Sequence, residues 1–282
     1  MRLPSVLSIA GSDSSGGAGI QADIKTALAN GVYAMTAVTA LTAQNTTGVL
    51  SVHEAPPEFL AAEIDAVFDD IPPDAVKIGM VASAPLIRTI AERLSAHGAK
   101  HIVVDPVIVA TSGAQLLAED AAGALATALF PMAELVTPNL PELFALDLLA
   151  GGHPKSVEIY DAMDARVEAA RRILARFGCP VLAKGGHAAE RSDDLLVTQE
   201  GVEIFSGDRV ATSNTHGTGC TLSTAVASNL AKGMSLSDAV RRAKAYVTGA
   251  LSAGLDLGRG SGPLHHGFAL ESEFSTAATN DA

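Results

Sequence analysis

Short apolar runs alternate along the chain with longer segments in which apolar residues recur every three or four positions. The run 6–10 ends at Gly11 and has the length of a buried strand. Beyond a loop of small residues, Ile20, Ile24, Ala27 and Leu28 share one face of a helix predicted over about 17–30, which Gly31 stops. The alternation continues with helices over 57–68, 85–97, 119–129 and about 164–177, and strands over 75–78, 101–104, 135–137 and 181–184. Segments 194–198 and 202–205 flank Gln199-Glu200-Gly201 and read as an antiparallel hairpin. Two last helices cover 217–231 and 235–253.

Strands alternating with helices define an α/β fold, a mainly parallel sheet covered by helices on both faces. Ligands of such sheets bind beyond the carboxyl ends of the strands. The segments after Ala10, Ile78, Val104, Thr137 and Lys184 are therefore expected to open onto one rim. One domain is expected over 1–270, with 151–161 as a surface insertion and a frayed polar tail from 271 to 282.

Of the 282 residues 48% are hydrophobic, but Trp is absent and aromatics make up 4%, so Ala, Val, Leu and Ile must build the core. A net charge of -12 without a Lys/Arg cluster excludes nucleic-acid and anionic-membrane surfaces, which need cationic patches. Any phosphate site must then be local. Cys179 and Cys220 lie far apart and outside any C-x-x-C pair, which argues against a disulfide or zinc site and for a reducing compartment. The chain shows neither a signal-peptide pattern nor an apolar run of membrane-spanning length, so a cytoplasmic location is expected.

Two glycine-rich turns carry the candidate chemistry. Gly11-Ser12-Asp13-Ser14-Ser15-Gly16-Gly17-Ala18-Gly19 joins the first strand to the first helix. It lacks the Lys of a phosphate-binding Walker loop, and no acid between Ile24 and His53 provides the ribose contact of a dinucleotide fold, which removes a NAD-dependent enzyme. What remains is a turn that lets backbone approach a small polar ligand, with Asp23 one helical turn inside the pocket, or a tight turn with solvated Ser and Asp. Asn214-Thr215-His216-Gly217-Thr218-Gly219-Cys220 opens a second helix, whose first-turn N–H groups form an anion site. Cys220 in that turn has its pKa drawn toward neutrality by the helix N-terminus, or else serves as a small buried hydrophobe; Cys179 is structural.

These turns, together with Thr39-Ala40-Leu41-Thr42-Ala43-Gln44-Asn45-Thr46, Lys77-Ile78-Gly79-Met80, Asp105-Pro106-Val107, Thr137-Pro138-Asn139-Leu140-Pro141-Glu142, Lys184-Gly185-Gly186-His187 and Gly262-Pro263-Leu264-His265-His266, resemble the hydroxymethylpyrimidine/phosphomethylpyrimidine kinases of thiamine synthesis in the ribokinase superfamily. The resemblance runs from about Val6 to His266. It implies ATP-dependent phosphorylation of 4-amino-5-hydroxymethyl-2-methylpyrimidine to its monophosphate and then the diphosphate. It places the pyrimidine near Gly11, Asp23, Gln44, Met80 and Val107, and Mg-ATP near Asp105, Asn139 and Glu142, with Asp105 and Glu142 on the metal side. Lys184, Thr212, Gly217 and Gly219 fall to the nucleotide, and Cys220 with Gly217, Thr218 and Gly219 to the catalytic turn. A homodimer is implied as well.

Gln44 suits an aminopyrimidine edge because its amide both donates and accepts, though it also suits a plain strand end. Asn139 and Glu142 equally suit a helix N-cap. Ser14 stands where relatives carry proline, and Thr111-Ser112-Gly113-Ala114 where they often carry Lys-Ser-Gly-Asp, which bears on a flap over the site. Pyridoxine/pyridoxal kinase activity and a non-catalytic pyrimidine sensor are the competing functions.

Overall fold

The computed structural model describes residues 2–107, 121–185 and 192–271. Its centre is a nine-stranded sheet: β1 (Ser5–Asp13), β2 (Tyr33–Asn45), β3 (Gly48–Glu54), β4 (Ala75–Ile78), β5 (Ile102–Val104), β6 (Leu135–Val136), β7 (Val181–Ala183), β8 (Asp194–Val197) and β9 (Val202–Phe205), in the order β3-β2-β1-β4-β5-β6-β7-β8-β9. Strands β2 through β7 run parallel, while β3 at one edge and the β8–β9 hairpin at the other are antiparallel. The helices are α1 (Gly19–Ala29), α2 (Pro57–Asp70), α3 (Ala84–Ala96), α4 (Ala121–Ala124), α5 (Leu140–Leu149), α6 (Met163–Phe177), α7 (Thr218–Ala231) and α8 (Leu236–Ala253).

Side-chain alternation along each strand divides the core in two. Leu7, Ile9, Val76, Ile78 and Val104 pack toward α2, α3 and α6. Val6, Val103, Leu135 and Leu182 pack toward α7 and α8, where Ala225, Ala227 and Ala243 let helix and sheet approach closely. Small residues thus do the work that aromatics do in other cores.

Every expected strand and the hairpin are present, but three elements were not expected. β2 and β3 pair antiparallel over the stretch that holds Gln44, and α5 follows Asn139. β2 escapes the pattern because Ala and Thr, which fill it, give a weak apolar signal. β1 also runs past Gly11 to Asp13, so part of the anticipated loop is strand. Within the described residues, the helix expected over 119–129 is α at Ala121–Ala124 and widens to a π turn at Leu125–Leu129.

The segment 151–161 lies mostly at the surface, as expected, but it is anchored. Tyr160 is fully buried, and its hydroxyl donates to Asp147 Oδ2 at 2.8 Å, while Arg172 donates to both oxygens of the same carboxylate at 2.7 and 2.9 Å. The flap positions 108–114, the pair Gly186-His187 and the tail beyond Glu271 lie outside the described residues.

Candidate active site

The chain leaves each parallel strand at the same end of the sheet, and there one cavity of about 890 Å³ opens. Gly11 and Ser12 of β1, Met80 after β4, Asp105 and Val107 after β5, Asn139 and Glu142 after β6, and Lys184 after β7 all line it. Gln44 comes from the far end of β2, and Thr212 with Gly217, Thr218, Gly219 and Cys220 from the start of α7. The expected rim is therefore real, and it gathers the candidate residues with one exception.

That exception is Asp23, which does not reach the cavity. It is fully buried in α1, ion-paired to the equally buried Lys77 of β4 at 2.8 Å, and accepts hydroxyl hydrogen bonds from Ser8 at 2.5 Å and Thr224 at 2.7 Å. The pair ties β1, α1, β4 and α7 together beneath the site. Lys77 is held above its ordinary pKa: burial works against the charge, and the Asp23 carboxylate outweighs it. A lysine inside the otherwise apolar strand Ala75–Ile78 was the available signal, since a lysine buried there requires a carboxylate partner.

Asp13, a candidate for solvation, is buried and organises the first glycine turn. Its Oδ1 accepts from the Ser15 backbone and hydroxyl, each at 2.8 Å, and its Oδ2 accepts from the Ala18 amide at 2.8 Å and from His216 Nε2 at 2.8 Å. Burial would raise its pKa, but these four bonds, His216 foremost, hold it well below the carboxylate range. The two glycine turns pack directly on each other. A Cβ on Gly17 would collide with the His216 ring, and one on Gly217, whose φ is +85°, with the Gly17 carbonyl. Glycine at 217 is thus required twice over, by backbone angle and by space.

Where the cavity meets the ends of β5, β6 and β7, Lys184 donates to Asp105 Oδ1 at 2.9 Å and stands 3.8 Å from Glu142 Oε2. Its charge is favoured: burial opposes it, but Asp105 and Glu142 raise its pKa. Asn139 and Glu142 form a reciprocal capping box on α5, Asn139 Oδ1 accepting from Glu142 N at 2.9 Å and Glu142 Oε2 from Asn139 N at 2.7 Å. Cap and cavity wall are the same residues. A Cβ on Gly219 would stand 3.1 Å from Asp105 Oδ2 and 3.3 Å from Lys184 Nζ, so the α7 turn closes against this pair.

Cys220 faces the cavity from the first turn of α7, part-exposed and free of disulfide. Its pKa is not drawn toward neutrality. Burial pushes the thiol up to about 11, the Asp23 and Asp105 carboxylates add to that, and the Lys77 ammonium and Gly19 amide oppose without reversing it. Desolvation beats the helix N-terminus here. Cys179 is buried against Pro180, its thiol pushed up to about 12, which suits a structural role.

A C-terminal strap holds the second turn from behind. His216 N donates to Gly262 O at 3.0 Å, and His266 Nε2 lies 3.0 Å from Thr221 Oγ1, whose proton goes to Gly217 O at 2.8 Å. His266 must therefore donate, and burial pushes its pKa down to about 4. An unfolded histidine binds its proton near pH 6.5, so stability is full above that value and is lost as pH falls toward 4. We expect ~2–4 kcal/mol from this one group. Urea unfolding at pH 7 and pH 4.5 should show the slope in the wild type, and a reduced one in His266→Gln.

A parallel sheet with two apposed glycine turns, one opening a helix beside a buried Lys–Asp pair, defines a small-molecule kinase of ribokinase-like fold. The family model described as phosphomethylpyrimidine kinase matches residues 13–265, and the chain belongs to that family. It is 45% identical over 274 residues to the hydroxymethylpyrimidine/phosphomethylpyrimidine kinase of Salmonella typhimurium, covering 94% of this chain and 98% of that one. It is 48% identical over 268 residues to the thiamine biosynthesis bifunctional protein ThiED of Geobacter sulfurreducens, covering 95% of this chain but only 53% of that protein. The structure of Staphylococcus aureus pyridoxal kinase in complex with AMP-PCP and pyridoxal superposes with a TM-score of 0.83 at 34% identity, covering 95% of each chain.

Proposed function

We propose that this protein transfers the terminal phosphoryl group of ATP to the hydroxymethyl oxygen of 4-amino-5-hydroxymethyl-2-methylpyrimidine, and then phosphorylates that monophosphate to the diphosphate. The carrying observation is that one cavity is lined by Gln44, Met80 and Val107 together with the Gly217–Cys220 turn. Met80 and Val107 offer apolar contact to a flat ring, and Gln44 offers a paired donor and acceptor. First-turn amides of α7 stabilise charge on the transferring group, and Lys184 supplies a fixed cation. Cys220, a thiol at neutral pH, holds the acceptor hydroxyl in line. Phosphoryl transfer depends chiefly on such alignment and charge stabilisation.

Asp105 and Glu142 offer the hard oxygen ligands that Mg²⁺ prefers, and both line the cavity. With Lys184 and the capping box already engaging them, they suit a metal reached partly through water. Bound there, Mg²⁺ would neutralise phosphate charge. Asp23 supports the pocket from below rather than touching the substrate. Free Cys179 and Cys220 suit a reducing compartment such as the cytoplasm, and no helix among the described residues is long and apolar enough to cross a membrane. Exposed Leu50 and Val52 on edge strand β3, with Leu41 on β2, suit a homodimer contact, so sedimentation should give twice the 28.7 kDa chain mass.

The test is a product assay with the pyrimidine alcohol, ATP and Mg²⁺, resolving mono- from diphosphate, with pyridoxal in parallel. Both pyrimidine phosphates are expected. Turnover of pyridoxal alone would replace the reading by pyridoxal kinase activity, and pyrimidine binding without ADP release would replace it by a sensor.

A further inference from the structure

Gln44, His216, Asp13 and Thr42 form one chain of hydrogen bonds at the cavity wall, and proton counting fixes its direction. Asp13 is ionised, so it only accepts, and His216 Nε2 at 2.8 Å must carry the proton. That proton points chiefly at Asp13, and the group of Gln44 that stands 3.3 Å from the same Nε2 can share it only as a second, weaker acceptor, because a donor there would face the N–H. On the other side, Thr42 Oγ1 spends its single proton on the Ser12 carbonyl at 2.8 Å, so its contact with Gln44 at 3.1 Å must be with a donor. An amide with its nitrogen toward His216 would set donor against donor there, and would make two acceptors compete for one proton at Thr42. Half a turn about the terminal bond, which leaves the shape unchanged, removes both conflicts, with the His216 proton shared between Asp13 and Gln44.

We propose that the Asp13–His216 pair, with Thr42, locks the Gln44 amide with oxygen toward His216 and nitrogen toward Thr42, and that this lock selects and orients the heterocycle. Asp13, His216 and Thr42 are positioning residues in this scheme. The inference rests on the pyrimidine reading above. An amide oxygen has two lone pairs and an amide nitrogen two protons, so the lock uses one of each and leaves one of each for the ligand. A ring that carries an amino group beside a ring nitrogen matches that remaining pair. The amine must then lie on the His216 side, toward Gly217. In the pyrimidine alcohol the hydroxymethyl carbon is the next ring substituent beyond the amine, so the same lock turns the hydroxyl toward the Cys220 turn. With the amide reversed, amine and hydroxyl would point toward Thr42 and away from the phosphoryl site. Pyridoxal, whose ring nitrogen and phenol are not adjacent, engages only one of the two groups.

The experiment pairs protein variants with a substrate that lacks one group. His216→Leu, His216→Gln and Thr42→Val are assayed with the pyrimidine alcohol and with its analogue lacking the 4-amino group, with the KM for ATP measured alongside. The wild type should favour the amino-bearing alcohol by about tenfold or more in kcat/KM, since losing one buried hydrogen bond costs about that factor. His216→Leu should collapse the preference, with the KM for the alcohol rising and that for ATP within about twofold. Thr42→Val, which replaces a hydroxyl by a methyl of the same shape, should weaken the preference in the same direction. His216→Gln, whose amide can still donate to Asp13 and Gln44, should restore it. Preference retained in both His216→Leu and Thr42→Val overturns the lock, as does a His216→Gln variant no better than His216→Leu. Wild-type inactivity toward the pyrimidine alcohol would instead strike the functional reading itself.

Discussion

Replacing Lys77 with methionine should lower the unfolding free energy by about 3–5 kcal/mol, the usual cost of stranding one member of a buried ion pair. Lys77 and Asp23 are both solvent-free, and the four groups that meet there come from β1, α1, β4 and α7. Ser8 and Thr224 alone cannot balance the carboxylate. The stranded carboxylate would loosen the floor of the site. Adding Asp23→Asn to the methionine variant should return part of the loss, because an uncharged amide accepts from one of the two hydroxyls through its oxygen and donates to the other through its nitrogen. Urea unfolding of the three proteins checks this. A single variant within about 1 kcal/mol of wild type would show that the pair is not what holds these elements together.

Cys220→Ala should lower kcat by about 10²–10³ while leaving ATP affinity unchanged, a loss in the range expected when the acceptor hydroxyl is no longer held in line. The alanine keeps the backbone amides of the turn, so nucleotide binding survives. The chemical state of the sulfur has its own signature. Because burial pushes the thiol up to about 11, alkylation by iodoacetamide should be slow at pH 7 and rise about tenfold per pH unit up to about pH 10. Near-wild-type turnover of the alanine variant would remove Cys220 from the mechanism. Rapid alkylation at pH 7 would show a thiolate, and with it a base already formed before substrate arrives.

Much of this architecture is legible in the sequence, for identifiable reasons. The strands that read well, such as 75–78 and 181–183, are short apolar runs between clear helical periods. Gln44 was placed at a strand end, which is where it stands, but β2 itself is built of Ala, Thr and Met and has little apolar contrast. α5 is hidden behind its own cap: Asn139 and Glu142 carry the capping signature, yet the helix is apolar nearly all round, and its two acids, Glu142 and Asp147, are buried, so no exposed polar face marks its period.

At the site, residue identity was legible and residue direction was not. Asp23 lies one turn inside α1 as expected, but whether that face met the cavity or the core depended on Lys77, 54 residues away. The same holds for Cys220. Its place at a helix N-terminus is local and readable, whereas the burial and carboxylates that raise its pKa come from distant parts of the chain. His216 was visible only as a letter between two glycine-turn residues, because its partner Asp13 is 203 positions away.

That separation has a consequence for how the protein comes into being. The first glycine turn leaves the ribosome early, but it has nothing to close against until residue 217 has followed. The second turn in turn waits for Gly262, which holds His216 from behind. Closing so long a loop comes late in folding as well as in synthesis. A half-made chain therefore has β1 and its glycines but not the turn they pack against, and the cavity has no wall on that side. The wall is complete only when residues 216–262 join the first turn, so the cavity is built from segments about 200 residues apart.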